Sequence, residues 1–294
     1  MILKIRYLIL FLIFIGFGLF FRFSIFCEDS KEEISTEDLP TIYAITPTYY
    51  RLTQKADLTR LSYCLQLVPN VFWVLIEDAK STSELVRGIL NRGGLSDRSV
   101  QLFAKTPQSM IPQKNQSRIS KPRGVLQRNV GLDFVIRRMA EKGGRSIVYF
   151  MDDDNTYSRE LFHEMAKIEE GRVGVWPVGL VGGLRVEKPI VAPNGTITGF
   201  NAMWNPGRVF PIDMAAFAIS GDLLLKNPKA RFHYKPNLET IFLQQITTRD
   251  ALQPLANLCK EILVWHTRTE KPNLEQENKH VKNYRILSDD GMEL

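Results

Sequence analysis

Residues 147–157 read IVYFMDDDNTY, an apolar run that ends without a break in three consecutive aspartates. Aspartate is a favoured helix N-cap, and the following NTYSRELFHEMAKIEE (155–170) has the pattern of an amphipathic helix, so one of the three is expected to cap it. The other two need another reason. Adjacent carboxylates repel one another, and a hard divalent cation that takes oxygen ligands relieves that repulsion. The triplet is therefore a candidate metal site.

Upstream of it, strand and helix signals alternate. TIYAIT (41–46) reads as a strand, and residues 53–68 place Leu58, Leu61, Leu65 and Val68 at helical spacing. FWVLIED (72–78) is a second strand, 81–93 a helix, VQLFA (100–104) a strand, and 105–121 a polar loop. Residues 123–144 form a helix that ends at glycine, before SIVYFM (146–151), a strand apolar enough to be buried on both faces. Such alternation predicts an α/β fold with a largely parallel sheet between helices. The aspartates then follow the fourth strand at its carboxyl end, where open α/β sheets hold ligands.

After Gly171 the pattern changes to short strand-like runs (173–183, 197–204, 214–220) broken by Gly and Pro, which implies a mixed sheet packed on the first half. A helix is expected to open near Pro236 with Asn237 as its cap. EILVWHTRT (261–269) reads as a last strand, and the tail from Lys271 is polar.

The chain begins MILKIRYLILFLIFIGFGLFFRFSIFC, with no charge from Tyr7 to Phe21 and a run that approaches the roughly 20 residues needed to cross a bilayer. Lys4 and Arg6 precede it, which orients the remainder across the membrane. No Ala-x-Ala cleavage site follows, so an uncleaved signal anchor at 7–27 is expected, between a cytosolic tail (1–6) and an acidic stem (28–40). A luminal globular unit would then occupy 41–294, about 41–170 for nucleotide and 171–294 for acceptor. Sequons at Asn115-Gln-Ser and Asn194-Gly-Thr suit that compartment. The three cysteines, Cys27, Cys64 and Cys259, have no CxxC spacing and describe neither a disulfide scaffold nor a zinc site, although Cys27 beside the membrane could cross-link two chains.

The net charge is +6, of which Lys4, Arg6 and Arg22 supply three, and the remaining excess is small and dispersed. That gives no support for nucleic acid as a partner. The patterns GxxxxGK[ST], HExxH and GxSxG are absent, as is GxGxxG after a strand. A carboxylate cluster with a metal still suits a diphosphate. For a secretory-pathway chain, this points to transfer from a nucleotide sugar.

The segments TPTYYRLTQKADLTRL, PRGVLQRNVGLDF, VYFMDDDNTYSRELF, VWPVGLVGGLRVE, WNPGRVFPIDMAAFA and VWHTRTEKP resemble the β-1,3-glucuronosyltransferases of the Golgi, in order and with similar spacing. The resemblance runs from Leu39 to about Gln276. It implies a GT-A-type fold, whose Rossmann-like nucleotide sheet continues into a mixed-sheet acceptor half, and a single-pass type II Golgi membrane protein with a luminal catalytic domain. It further implies a homodimer that uses UDP-glucuronate, Mn2+ and a galactose-terminated glycan.

In that pattern Asp154 binds Mn2+, while Asp152 and Asp153 hold uridine and ribose. Pro47, Thr48, Tyr49 and Asp78 surround the nucleotide. Arg123 and Arg128, five apart on one helix, lie near sugar and diphosphate, and His266 and Arg268 also face the donor. The acceptor set falls on Glu187, Trp204, Arg208 and Asp213, with Gln276 reaching the partner subunit's acceptor site. Beyond Lys279 the tail departs from the family pattern.

Inverting transfer is an in-line displacement that requires one base for the acceptor hydroxyl, and the resemblance makes Glu239 that base. Two other readings are a related metal-dependent transferase that uses another UDP sugar and a non-catalytic carbohydrate-binding relative. The carboxylate-binding pair Arg128 and His266 bears on the first, and the presence of Asp154 and Glu239 on the second.

Overall fold

The computed structural model describes residues 39–111 and 121–292. The expected signal anchor, the stem up to residue 38, Cys27 and the Asn115 sequon lie outside the described residues. Among those described, no helix is long and apolar enough to cross a membrane.

Strands β1 (Thr41–Thr48), β2 (Val71–Glu77), β3 (Ser99–Phe103) and β4 (Ser146–Phe150) are joined through helices α1 (Gln54–Gln66), α2 (Glu84–Arg92) and α3 (Val125–Lys142). They pair in parallel in the order β3-β2-β1-β4. Every residue of β2 and β4 is buried, as their continuous apolar sequences require when helices cover both faces of a sheet. Leu58, Leu61 and Leu65 form the buried face of α1. Helix α3 approaches the sheet through Gly131, where an added Cβ would lie 2.6 Å from Ile45 Cγ2. It stops at Gly143, φ +65, as its sequence predicts.

The chain continues through β5 (Thr156–Tyr157), α4 (Arg159–Met165), β6 (Val173–Val175), β7 (Val178–Gly179), β8 (Val186–Val191), β9 (Ile197–Asn201), β10 (Phe217–Ser220), α5 (Gly221–Lys226), α6 (Leu238–Leu243), β11 (Leu252–Pro254), β12 (Val264–Trp265) and α7 (Glu275–Tyr284). Strands β10, β6 and β11 extend the first sheet to seven strands, with β10 antiparallel to β4. The second sheet has the order β5-β12-β7-β8-β9. The expected α/β class and mixed second sheet are thus both present. Each sheet takes strands from both halves of the chain, and the contacts from Leu39 to Leu294 form one compact unit.

Four local expectations change. The helix after the triplet starts at Arg159, with Ser158 at its N-cap position, so none of the aspartates caps it. Pairing of Tyr157 with Val264 draws residues 156–157 into the second sheet and delays the helix. The last strand shrinks to Val264–Trp265. Asn237 occupies the N-cap position of α6 in the left-handed region (φ 64), yet its side chain caps nothing and accepts from Asn205 Nδ2 at 3.0 Å instead. The polar tail contains the exposed helix α7, whose first turn carries Glu275 and Glu277, the placement a helix dipole favours.

An aromatic cluster ties the two halves together. Phe232 stacks on Phe242 of α6 at 4.2 Å between centroids, and Phe150 of β4 meets Phe232 edge-on at 4.8 Å. All three are buried, so the start of α6 is held at a set distance from the end of β4.

Candidate active site

The carboxyl ends of β1, β2 and β4 lie side by side, because Thr48 pairs with Glu77 and Ile45 with Phe150. Pro47, Thr48, Tyr49, Asp78 and the triplet are thereby collected from three stretches of sequence onto one edge. Asp78 Oδ1 accepts from Thr106 N at 2.9 Å and its Oδ2 accepts from Thr106 Oγ1 at 2.7 Å, which orders the exit from β3. The Tyr49 ring has a guanidinium on each of two approaches, Arg51 at 4.9 Å and Arg123 at 5.4 Å. Arg123 precedes the Gly124 N-cap and is not on α3, which corrects its expected place on the helix with Arg128.

The three aspartates have different surroundings. Asp152 accepts from Arg128 Nη2 at 2.6 Å. Asp153 Oδ2 is buried and accepts from Thr48 Oγ1 at 2.6 Å and Arg51 Nη1 at 2.8 Å. Burial raises its pKa against the pull of Arg51. The Asp154 carboxylate has no side-chain partner among the described residues, while its main-chain oxygen accepts from Thr267 Oγ1 at 2.9 Å and Arg60 Nη2 at 3.2 Å. Burial, and then the charge of Asp152, push the pKa of Asp154 up.

That last observation tests whether a cation fits. Among the described residues no three His, Cys, Asp or Glu side chains are grouped to hold an ion. One uncommitted, desolvated carboxylate beside a second negative charge is nevertheless the protein contribution needed when phosphate oxygens and water complete the coordination shell. Asp154 fits that role.

Across the edge lies a pocket of about 400 Å³ lined by Glu187, Trp204, Arg208, Asp213, Glu239, His266 and Arg268 among others. The whole expected acceptor set except Gln276 is in it. Glu239, in the first turn of α6, accepts from Arg208 Nη1 at 3.1 Å. The Arg208 guanidinium lies 4.5 Å from the Trp204 ring centroid, and Trp204 is 36% exposed. Thr240 Oγ1 donates to Phe210 O at 2.8 Å and pins the same turn.

Glu187 is buried on β8, and its Oε1 has no partner among the described residues. It is packed against Gly182, φ +62, where a Cβ would come within 2.0 Å of that oxygen. Asp213 Oδ1 accepts from Ala215 N at 2.9 Å. Burial raises the pKa of all three carboxyls: Asp213 also repels Glu187 and Glu239, His266 offsets the rise at Asp213, and Arg208 offsets that at Glu239. His266, which lines the pocket, also lowers Asp154.

Gln276 lies exposed on α7 and does not line the pocket of its own chain. Asn194 is exposed in the turn between β8 and β9, where its Oδ1 accepts from Thr196 N at 3.1 Å. Cys64 and Cys259 are unpaired, and burial pushes their thiols up to about 11 and about 12. Sequence reasoning passed over Lys235 and the turn 181–183, which also line the pocket, and the partners Arg51, Asp57 and Thr269. An arginine shortly after the first strand is a weak signal, and nothing local marks the rest.

Residues 61–270 match the sequence profile of glycosyltransferase family 43. The chain is 54% identical over 265 residues to galactosylgalactosylxylosylprotein 3-beta-glucuronosyltransferase I of Drosophila melanogaster, covering 89% of this chain and 86% of that protein. It is 47% identical over 255 residues to galactosylgalactosylxylosylprotein 3-beta-glucuronosyltransferase 3 of Homo sapiens, covering 83% and 75%. Among solved structures, TarS of S. aureus (residues 1–349) aligns with a TM-score of 0.46 and 14% identity, over 77% of this chain and 60% of that one. The chain belongs to glycosyltransferase family 43.

Proposed function

We propose that this protein transfers glucuronic acid, with inversion, from UDP-glucuronate to the 3-hydroxyl of a terminal galactose, on the galactosyl-galactose of the proteoglycan linker. The reading rests on the activity shared in name by relatives 54% and 47% identical over most of both chains. The pocket supports it, since it offers one carboxylate on a pinned helix turn as base and an exposed tryptophan as sugar platform. The wider proposal is a homodimer anchored in the Golgi membrane through residues 7–27 with its catalytic domain in the lumen.

In this mechanism Pro47, Thr48, Tyr49 and Asp78 hold the nucleoside. Arg123 and Arg128 lie toward the diphosphate, while Asp152 and Asp153, already ordered by Arg128 and Arg51, fix uridine and ribose. Asp154 holds Mn2+, which supplies positive charge to the departing diphosphate when bound. His266, Arg268 and Arg128 provide the cationic surroundings of the glucuronate carboxylate. Trp204 stacks on the galactose, while Glu187, Asp213 and Arg208 bind its hydroxyls and thereby orient the reacting one. Glu239 takes the proton from that hydroxyl as it attacks the anomeric carbon. Burial raises the basicity of Glu239 toward the working pH, and Arg208 keeps the anion accessible.

The test is product identification with the purified luminal segment, a panel of UDP sugars and a galactosyl-galactose acceptor. UDP-glucuronate should be strongly preferred over UDP-glucose, since a site that pairs a carboxylate leaves buried donors unsatisfied when a hydroxymethyl enters. Comparable kcat/KM for the two donors would overturn the donor assignment.

A further inference from the structure

Asp57 lies in the first turn of α1, where a carboxylate is favoured by the helix dipole alone. Its environment asks for more than that. The residue is fully buried, and both carboxylate oxygens are occupied by side chains that lead elsewhere. Oδ2 accepts from Arg51 Nη2 at 2.7 Å, and Oδ1 accepts from Thr269 Oγ1 at 2.5 Å and Arg60 Nη2 at 3.3 Å.

Each of these partners continues to the aspartate triplet or to the segment facing it. Arg51 uses its other terminal nitrogen to donate to Asp153. Arg60 Nη2 also donates to the main-chain oxygen of Asp154. Thr269 follows directly on the segment that carries His266 and Arg268, which Thr267 fastens to the same Asp154 oxygen. One buried carboxylate thereby connects the triplet to a segment 212 positions away in sequence. Asp57 and Asp153 are balanced by Arg51 and Arg60, so neutralising Asp57 leaves the part-buried Arg51 with Asp153 alone and takes from the more exposed Arg60 its carboxylate partner.

We propose that Asp57 is a positioning residue for the nucleotide-sugar site. It keeps Arg51 on Asp153 and holds the 266–269 segment against Asp154, so that the two walls facing the donor retain one relative geometry. This rests on the reading that the triplet holds UDP. Having no exposed surface, Asp57 touches no substrate and acts through Arg51, Arg60 and Thr269.

Calorimetric titration of UDP in the presence of Mn2+, with donor and acceptor KM and Tm measured on the same samples, separates positioning from simple stabilisation of α1. The unmodified chain is titrated first: failure to bind UDP would remove the underlying reading itself. Given binding, Asp57→Asn should weaken UDP by about tenfold to a hundredfold, the usual effect of losing a partner behind the binding residues, with donor KM rising in step and acceptor KM unchanged. Thr269→Val removes only the hydroxyl and should raise donor KM roughly threefold to tenfold. Thr269→Ser restores that hydroxyl and should restore the affinity. If Asp57→Asn does not fold, the Thr269 pair decides. UDP affinity unchanged in a folded variant whose Tm alone has fallen would overturn the proposal, as would equal losses for Thr269→Val and Thr269→Ser.

Discussion

Glu239 and Asp213 put opposite demands on the pocket. Glu239 must be ionised to accept a proton, yet burial pushes its pKa above the ordinary value of 4.5. The acid limb of the kcat/KM profile should therefore lie above that value and move when Arg208, which opposes the shift, is replaced. Glu239→Gln should keep UDP affinity while lowering kcat by roughly 10²- to 10⁴-fold, the range for a positioned general base. That corresponds to about 3–5 kcal/mol of barrier. A carboxylate that served only its ion pair with Arg208 would leave kcat near normal and lower Tm. For Asp213, a folded-state pKa raised by burial means that the folded protein binds more protons than the unfolded chain between the two pKa values. Its contribution to stability is full below the ordinary value of 3.8 and is lost as pH rises through the folded value. Asp213→Asn, which retains an oxygen for Ala215 N, should raise Tm at pH 7.5, with the gain shrinking toward pH 3.8, and should raise acceptor KM. Thermal scans across that range check the sign; a lower Tm at pH 7.5 would contradict it.

Among the elements, the turn from β7 to β8 shows how backbone conformation places Glu187, the carboxylate proposed to bind the acceptor. Gly182 has φ +62 and leaves room for Glu187 Oε1, which an alanine Cβ would approach within 2.0 Å. Gly182→Ala should cost about 1–2 kcal/mol for the left-handed backbone alone and displace Glu187 as well. The expected result is a lower Tm and a higher acceptor KM with donor KM unchanged; equal rises in both would mean that the turn does not act through Glu187. Helix α6 works differently. Its start is pinned by Thr240 on Phe210 and by Phe242 on Phe232, so packing and a side-chain hydrogen bond hold Glu239 where a cap from Asn237 was expected.

At the scale of the whole molecule, the proposed metal and the proposed dimer each make a separate forecast. With Asp154 the triplet member free of side-chain partners, chelation should abolish transfer, Mn2+ should restore it best, and Asp154→Ala should weaken UDP binding when metal is present. Full activity in excess chelator would contradict this. Helix α7 exposes Val281 and Tyr284, apolar surface that the described residues leave uncovered. If that tail serves a partner subunit, light scattering should find the luminal segment dimeric without Cys27, and Gln276→Ala should raise acceptor KM more than donor KM. A fully active monomer would remove the dimer from the mechanism.

The strand-helix alternation up to Phe150 and the triplet's place at a strand end are legible along the chain. They follow from periodicities of a few residues and from apolar runs that can be satisfied only inside a covered sheet. The long family motifs likewise point to Asp154 and His266 before any fold is known. Other features are invisible at that range. The triplet looks like a helix cap until Tyr157 pairs with Val264, and Asp57 looks like an ordinary first-turn acid until Thr269 is folded onto it. The three aspartates are identical in sequence, and neighbours from the β1–α1 loop and α3 assign Asp153 to Arg51 and Asp152 to Arg128, and leave the Asp154 carboxylate without a side-chain partner among the described residues. Local pattern sets which segments become strands or helices because those forms are stabilised within a few residues. Which carboxylate is paired, buried or left for a cation depends on contacts between segments up to 212 residues apart, and those exist only once the sheets have assembled.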